Sequence, residues 1–235
     1  MYRMLPALLL LGLCACSSDA NDKADSRSLV LKDSGTAADK GVASKDKGGA
    51  ASYPSGPYGT KVGQIIENHS FTVFRDPKFM CKDLKSAKVD LNKSVKMTLK
   101  DFYNWDPTCK AKKKKLLWIL GSAAWCGICT KEIKAVKAAI AAGQIDSRVA
   151  FLNLLVDGKT YGKPADLATA KLWVTSFGLN HAVASDMSYV FKKYFLSTGF
   201  PLNVLVDLET MKIYHARNGD NLSFMGKKMA EFFSK

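Results

Sequence analysis

Leu116-Leu117-Trp118-Ile119-Leu120-Gly121-Ser122-Ala123-Ala124-Trp125-Cys126-Gly127-Ile128-Cys129 opens on five large apolar residues and closes on two cysteines separated by two residues. An apolar run without alternation is what a strand covered on both faces requires. Beyond Cys129, Ile133, Val136 and Ile140 recur on one side at helical spacing, with Lys131, Lys134 and Lys137 on another. An amphipathic helix therefore starts at the cysteines. Working outward, Val149 to Val156 repeats the buried-strand pattern, and Pro164 to Phe177 and Asp186 to Leu196 predict helices. Leu202 to Val206 and Lys212 to His215 predict two closing strands around the turn Asp207-Leu208-Glu209-Thr210. Asn221 to Phe233 predicts a final amphipathic helix, while Val62 to Phe74 and Val95 to Tyr103 give short bursts of strand or turn. There is no internal repeat. Strands alternating with helices imply an α/β domain, a central mixed sheet with helices on both faces.

The strand-to-helix junction carries the chemistry. Two cysteines spaced by two residues at the start of a helix can open and close a small disulfide ring. The helix N-terminus favours negative charge, so Cys126 is the expected attacking thiolate, and Cys129, one turn further in, suits the resolving role. Two other uses of the pair remain open. A structural zinc site would need Cys81, Cys109 or a histidine alongside, and there is no second Cys-x-x-Cys. A purely structural bridge would close a ring far shorter than those that gain most from closure.

The chain of 235 residues is 47% hydrophobic and 24% charged, which excludes a collagen-like, wholly disordered or polytopic membrane protein. Its N-terminus, Met1-Tyr2-Arg3-Met4, precedes the apolar run Leu5 to Leu13, which is too short to span a bilayer but fits a signal peptide. Leu13-Cys14-Ala15-Cys16-Ser17-Ser18 resembles the lipobox of bacterial lipoproteins, with Leu13 and Ala15 in the key places. The resemblance implies a signal peptide over 1–15, a lipidated Cys16 and export to an oxidising compartment. Ser18, not Asp, in the second place after Cys16 resembles an outer-membrane address, facing the periplasm in the cell envelope. An ordinary secreted protein cut nearby is the alternative.

Residues 17–60 are rich in Ser, Ala, Gly, Lys and Asp with few large apolar side chains, so 16–60 reads as a lipidated cysteine and a disordered tether. Such a coil spans roughly 35–40 Å. The tether is neutral, and the domain over 61–235 carries 28 basic and 15 acidic side chains, nearly all of the net +14. Lys110 to Lys115 holds five lysines in six positions, expected as a solvated approach to the buried strand, with attraction to anionic headgroups as the sharper alternative. Export and the lack of interleaved aromatics argue against nucleic acid as a partner. With Cys14 removed and Cys16 lipidated, Cys81 and Cys109 are left as partners for a structural bridge worth about 3 kcal/mol, the alternative being two free thiols.

Trp125-Cys126-Gly127-Ile128-Cys129 after an apolar strand resembles the thioredoxin superfamily, and within it the membrane-anchored TlpA-like oxidoreductases. The resemblance covers most of the chain after about residue 60. It implies a thioredoxin-like fold with an N-terminal extension, suggested also by Val62-Gly63 and Leu99-Lys100-Asp101-Phe102. Glu132 matches a glutamate typical of the group and would tune the cysteines. Pro201, 72 residues beyond Cys129, matches the cis-proline that faces the pair. Trp125, Gly127 and Pro201 would support the site, and Trp125 and Pro201 would line a docking groove. The implied activity is thiol–disulfide exchange with protein or peptide substrates, run as a reductase on electrons from a membrane-borne donor. It needs no cofactor beyond the dithiol and no metal.

Three positions depart from the superfamily pattern: Ile128 replaces a common Pro, Leu120 a buried Asp, and Lys134 a helix-kinking Pro. Three rivals stand beside the oxidoreductase, one of them a redox-silent adhesion or scaffold domain. A thiol peroxidase would need its cysteine in a Thr- and Pro-bearing loop, which is not found around Cys126. A copper-delivery module would need a distal histidine such as His181 or His215, whereas a lone histidine, His69 included, more often serves a surface or hydrogen-bonding role.

Overall fold

The computed structural model describes residues 52–103, 114–197, 199–219 and 221–235. In chain order its elements are β1 (Ser70–Phe74), β2 (Ser94–Thr98), the single-turn α1 (Lys100–Tyr103), β3 (Leu116–Ala123), α2 (Gly127–Ala141), β4 (Val149–Asp157), α3 (Leu167–Phe177), β5 (Ala182–Ser185), β6 (Leu202–Asp207), β7 (Ile213–Asn218) and α4 (Leu222–Phe233). Every residue of β3 and β4 is buried, which is why neither sequence alternates. They pair in parallel at the centre of a seven-stranded sheet of order β2-β1-β5-β4-β3-β6-β7. β5 joins β4 in parallel; β6, β7, β1 and β2 pair antiparallel with their neighbours.

Helix α2 buries Cys129, Glu132, Ile133, Val136, Ala139 and Ile140, a stripe at helical spacing, and turns Lys131, Lys134 and Lys137 outward. α3 starts at Asp166, whose carboxylate accepts from the Thr169 N–H at 2.7 Å, and stops at Gly178 in the left-handed conformation (φ 56°). The core is continuous across the sheet, and Trp118, Phe151, Phe191 and Phe102 are among its largest fully buried side chains.

Three expectations are revised. β5 was not foreseen, because four small residues, Ala182-Val183-Ala184-Ser185, carry little strand signal. Asp186 to Leu196 is not an α-helix; it holds a short 3₁₀ turn, Val190–Tyr194, after Tyr189 in the left-handed region. Buried Asp186 accepts from the N–H groups of Val190 and Phe191, which fixes that tight turn. Within the lysine run, Lys114 is buried rather than solvated, its ammonium on the Ser147 carbonyl at 2.7 Å and its pKa lowered by burial. Lys115 pairs with Glu209, and Lys110, Lys112 and Lys113 lie outside the described residues.

The chain joins the domain before Lys61. Tyr53 donates its hydroxyl to the Ile66 carbonyl at 2.7 Å and packs on the core. Gly63 and Ile66 donate N–H groups to Ile213 and Met211, so this segment lies along the start of β7. The chain then runs through Glu67, Asn68 and His69 to β1, on the other side of the central strands. Glu67 N–H and the His69 ring both meet the Tyr194 hydroxyl, at 3.3 and 2.8 Å. Cys16 lies outside the described residues, as does Cys109; Cys81 is disulfide-bonded.

Candidate active site

The site forms where β3 ends and α2 begins, at the carboxyl ends of the parallel strands, where open α/β sheets place their ligand sites. Cys126 is the N-cap of α2: its sulfur accepts from the Cys129 N–H at 3.1 Å. A cap position favours an acceptor with negative charge, so the fold offers the Cys126 sulfur the environment of a thiolate. Cys126 and Cys129 are joined in a disulfide, with Cα atoms 5.2 Å apart. Cys129 is fully buried and Cys126 nearly so, while Trp125 and Ile128 beside them are 40% and 53% exposed. A Cβ at Gly127 would meet nothing within 4 Å, so packing does not require glycine there.

Behind the pair, Glu132 faces inward one turn beyond Cys129 and is fully buried. Its Oε1 accepts from Asn203 Nδ2 at 2.9 Å and from the Asn221 N–H at 3.2 Å. Asn203 cannot turn its amide around at no cost, because its Oδ1 accepts from Trp118 Nε1 at 2.7 Å. A chain of hydrogen bonds thus runs from β3 through β6 to α2 beneath the cysteines. The family resemblance marked Glu132 and missed Asn203, whose only signal is a polar residue inside an apolar strand, two places after Pro201.

In front of the pair, the Phe200–Pro201 peptide is cis, and Phe200 packs on Trp125 with ring centroids 5.6 Å apart. The residue before Cys126 and the residue before Pro201 therefore touch. Tyr161, 60% exposed, covers the other edge of Trp125 at 5.3 Å. Trp125 is held from below by Asp157, the last residue of β4, which is fully buried. One carboxylate oxygen of Asp157 accepts from Trp125 Nε1 at 3.2 Å and the Gly162 N–H at 2.8 Å; the other accepts from the Tyr189 hydroxyl at 2.6 Å. Burial and that bond raise the Tyr189 pKa. Nothing in the sequence pointed to Asp157, which ends an apolar strand like any other polar terminus.

The histidines do not join the pair. His181 precedes β5 at the end of the sheet opposite the cysteines, packs on Phe151, and has its pKa lowered to about 3 by burial. His69 lies beside Tyr194 with its pKa lowered to about 4 by burial and then by Lys193. His215 lies on β7 against Phe224. Among the described residues, no three His, Cys, Asp or Glu side chains gather as a metal site requires.

A mixed sheet flanked by helices, a cysteine pair capping the helix after its central strand, and a cis-proline opening the neighbouring antiparallel strand define the architecture. The fold is thioredoxin-like. A candidate protein disulfide isomerase from Bacteroides thetaiotaomicron is similar to it at 18% identity and TM-score 0.51, over 76% of this chain and 93% of that one. The reduced 2-Cys peroxiredoxin of Plasmodium vivax is similar at 17% identity and TM-score 0.50, over 75% and 83%. A candidate thiol:disulfide interchange protein DsbE from Chlorobium tepidum has 13% identity and TM-score 0.48, over 74% and 98%. No protein-family model matches the sequence, and no curated protein does. Among the described residues, no helix is long and apolar enough to cross a membrane.

Proposed function

We propose that this protein is a thiol–disulfide oxidoreductase that reduces disulfides in proteins or peptides. The observation that carries the reading is Cys126 as the cap of α2, its sulfur on the Cys129 N–H and its flank open beside Trp125 and Ile128. In the dithiol state the Cys126 thiolate attacks a substrate disulfide; one substrate sulfur joins Cys126 and the other leaves as a thiolate that takes a proton. Cys129 then gives up its proton and attacks the Cys126 sulfur. The Cys126–Cys129 bond closes and the second substrate thiol is released. Two electrons pass to the substrate, and a dithiol donor must return them before the next turn. We assign that donor to the membrane, the protein to the cell envelope through a lipidated Cys16, and its working face to the periplasmic side of the outer membrane. Labelling of the intact chain with a radioactive fatty acid, lost in Cys16→Ser, tests the anchor.

Reduction of insulin with dithiothreitol as donor tests the activity. Turnover above the uncatalysed rate, absent in Cys126→Ser, supports it. Full activity in Cys126→Ser would falsify the assigned mechanism. The fold is shared with peroxiredoxins, so consumption of hydrogen peroxide by the reduced protein is the companion assay, and a rate exceeding insulin reduction would favour peroxidase chemistry instead.

A further inference from the structure

Lys192, in the 3₁₀ turn Val190–Tyr194, keeps part of its stem in solvent but turns its ammonium inward. The nitrogen is buried without a hydrogen-bond partner and lies 3.9 Å from Asp157. Four rings surround it, with centroids at 4.7 Å (Phe200), 5.0 Å (Phe195), 5.7 Å (Tyr189) and 5.9 Å (Tyr161). Ring faces attract a desolvated cation, and Asp157 is a fully buried carboxylate that needs one. A neutral donor would serve one of these demands; an ammonium serves both.

The rings come from separate stretches of chain. Tyr161 stands on the loop after β4, Tyr189 and Phe195 flank the 3₁₀ turn, and Phe200 precedes Pro201. Trp125 completes the circle, bonded to Asp157 and packed on both Tyr161 and Phe200. The cation thus sits where the aromatic walls beside the cysteine pair converge. A polypeptide laid across Cys126 would touch those walls with the residues flanking its own cysteine. A small disulfide reaches the sulfur without them.

We propose that Lys192 is a positioning residue that fixes these walls and so makes the site favour disulfides carried on polypeptides over small ones. This deepens the oxidoreductase reading and rests on it. Pre-reduced protein is assayed with insulin and with oxidised glutathione. Lys192→Met is expected to lower the ratio of kcat/KM for insulin to that for glutathione at least fivefold, through a raised KM for insulin. Lys192→Arg, which keeps a cation under the rings, is expected to restore the ratio to within twofold. An unaltered ratio in Lys192→Met, or equal losses on both substrates, overturns the proposal. If Lys192→Met does not fold, Asp157→Asn/Lys192→Met removes both buried charges, and the same ratio decides. The indole N–H signal of Trp125 in NMR spectra gives a readout free of turnover: it should move in Lys192→Met and return in Lys192→Arg, and a signal that stays put also overturns the proposal. Native protein that reduces neither disulfide defeats the oxidoreductase reading, while the indole signal still decides whether Lys192 holds the wall.

Discussion

Glu132 and Asp157 are both fully buried carboxylates close to the cysteine pair, yet the regions around them are built in opposite ways. Glu132 accepts from the Asn203 side chain and the Asn221 backbone, on or next to regular elements. Asp157 is met by an indole, a phenol, a backbone N–H and an ammonium, all four outside the numbered strands and helices. The inner region lies behind Cys129 and the outer region holds the aromatic rim. Under the proposed function, the first would bear on the reactivity of the sulfurs and the second on what can approach them. Reactivity and docking would then rest on different hydrogen-bond networks and be separately adjustable.

The largest expected effect sets the baseline for both regions. Cys126→Ser should reduce insulin turnover to the uncatalysed rate, whereas Cys129→Ser should accumulate mixed disulfides visible on non-reducing gels. Next comes the outer region. Asp157→Asn removes the counter-charge of Lys192 and should lower stability by about 3 kcal/mol in urea titration, with altered Trp125 fluorescence. An unchanged unfolding midpoint would show that the ammonium simply turns out to solvent. For the inner region, Glu132→Leu should lower stability by about 2 kcal/mol, since Asn203 loses an acceptor. It should also displace the pH profile of kcat while KM for insulin stays within twofold. A change in KM of the size given by the rim variants would erase the distinction between the regions.

The smallest effect lies away from both. His181 is neutral in the folded state, its pKa lowered to about 3 from an unfolded value of 6.5. The unfolded chain then binds more protons over that interval, so stability is complete above pH 6.5 and falls as the pH drops. From pH 6.5 to 5.5 the loss is about 1 kcal/mol, with His69 acting in the same sense. His181→Leu should flatten this slope without altering the cysteine chemistry; an equally steep slope would assign the acid sensitivity elsewhere.

Much of the inner region was legible in the sequence, because its parts are local. The unbroken run of β3, the cysteine spacing and the stripe Ile133, Val136 and Ile140 all follow from one strand and one helix, and the family resemblance marked Glu132. Of the outer region, the family resemblance marked only Trp125 and Pro201. Trp125, Gly162, Tyr189 and Lys192 are scattered over nearly seventy residues, and only the sheet topology brings them to Asp157. Lys192 carries no sequence signal, since an interior ammonium and a solvated one look alike on paper. β5 escaped for a related reason: its identity as a strand comes from its neighbours β1 and β4 rather than from its own small side chains.

The stretch from Tyr53 to His69 has a practical meaning for dissecting the protein. It is secured to the beginning of β7 through Gly63, Gln64 and Ile66, and to Tyr194 through Glu67 and His69, before the first strand begins. A truncation chosen by counting strands would start at Ser70 and strip the partners from one edge of the sheet, uncovering backbone groups able to pair with another chain. A fragment that keeps both that edge covered and the Tyr53 hydroxyl on the Ile66 carbonyl begins at Tyr53, some seventeen residues ahead of the first strand.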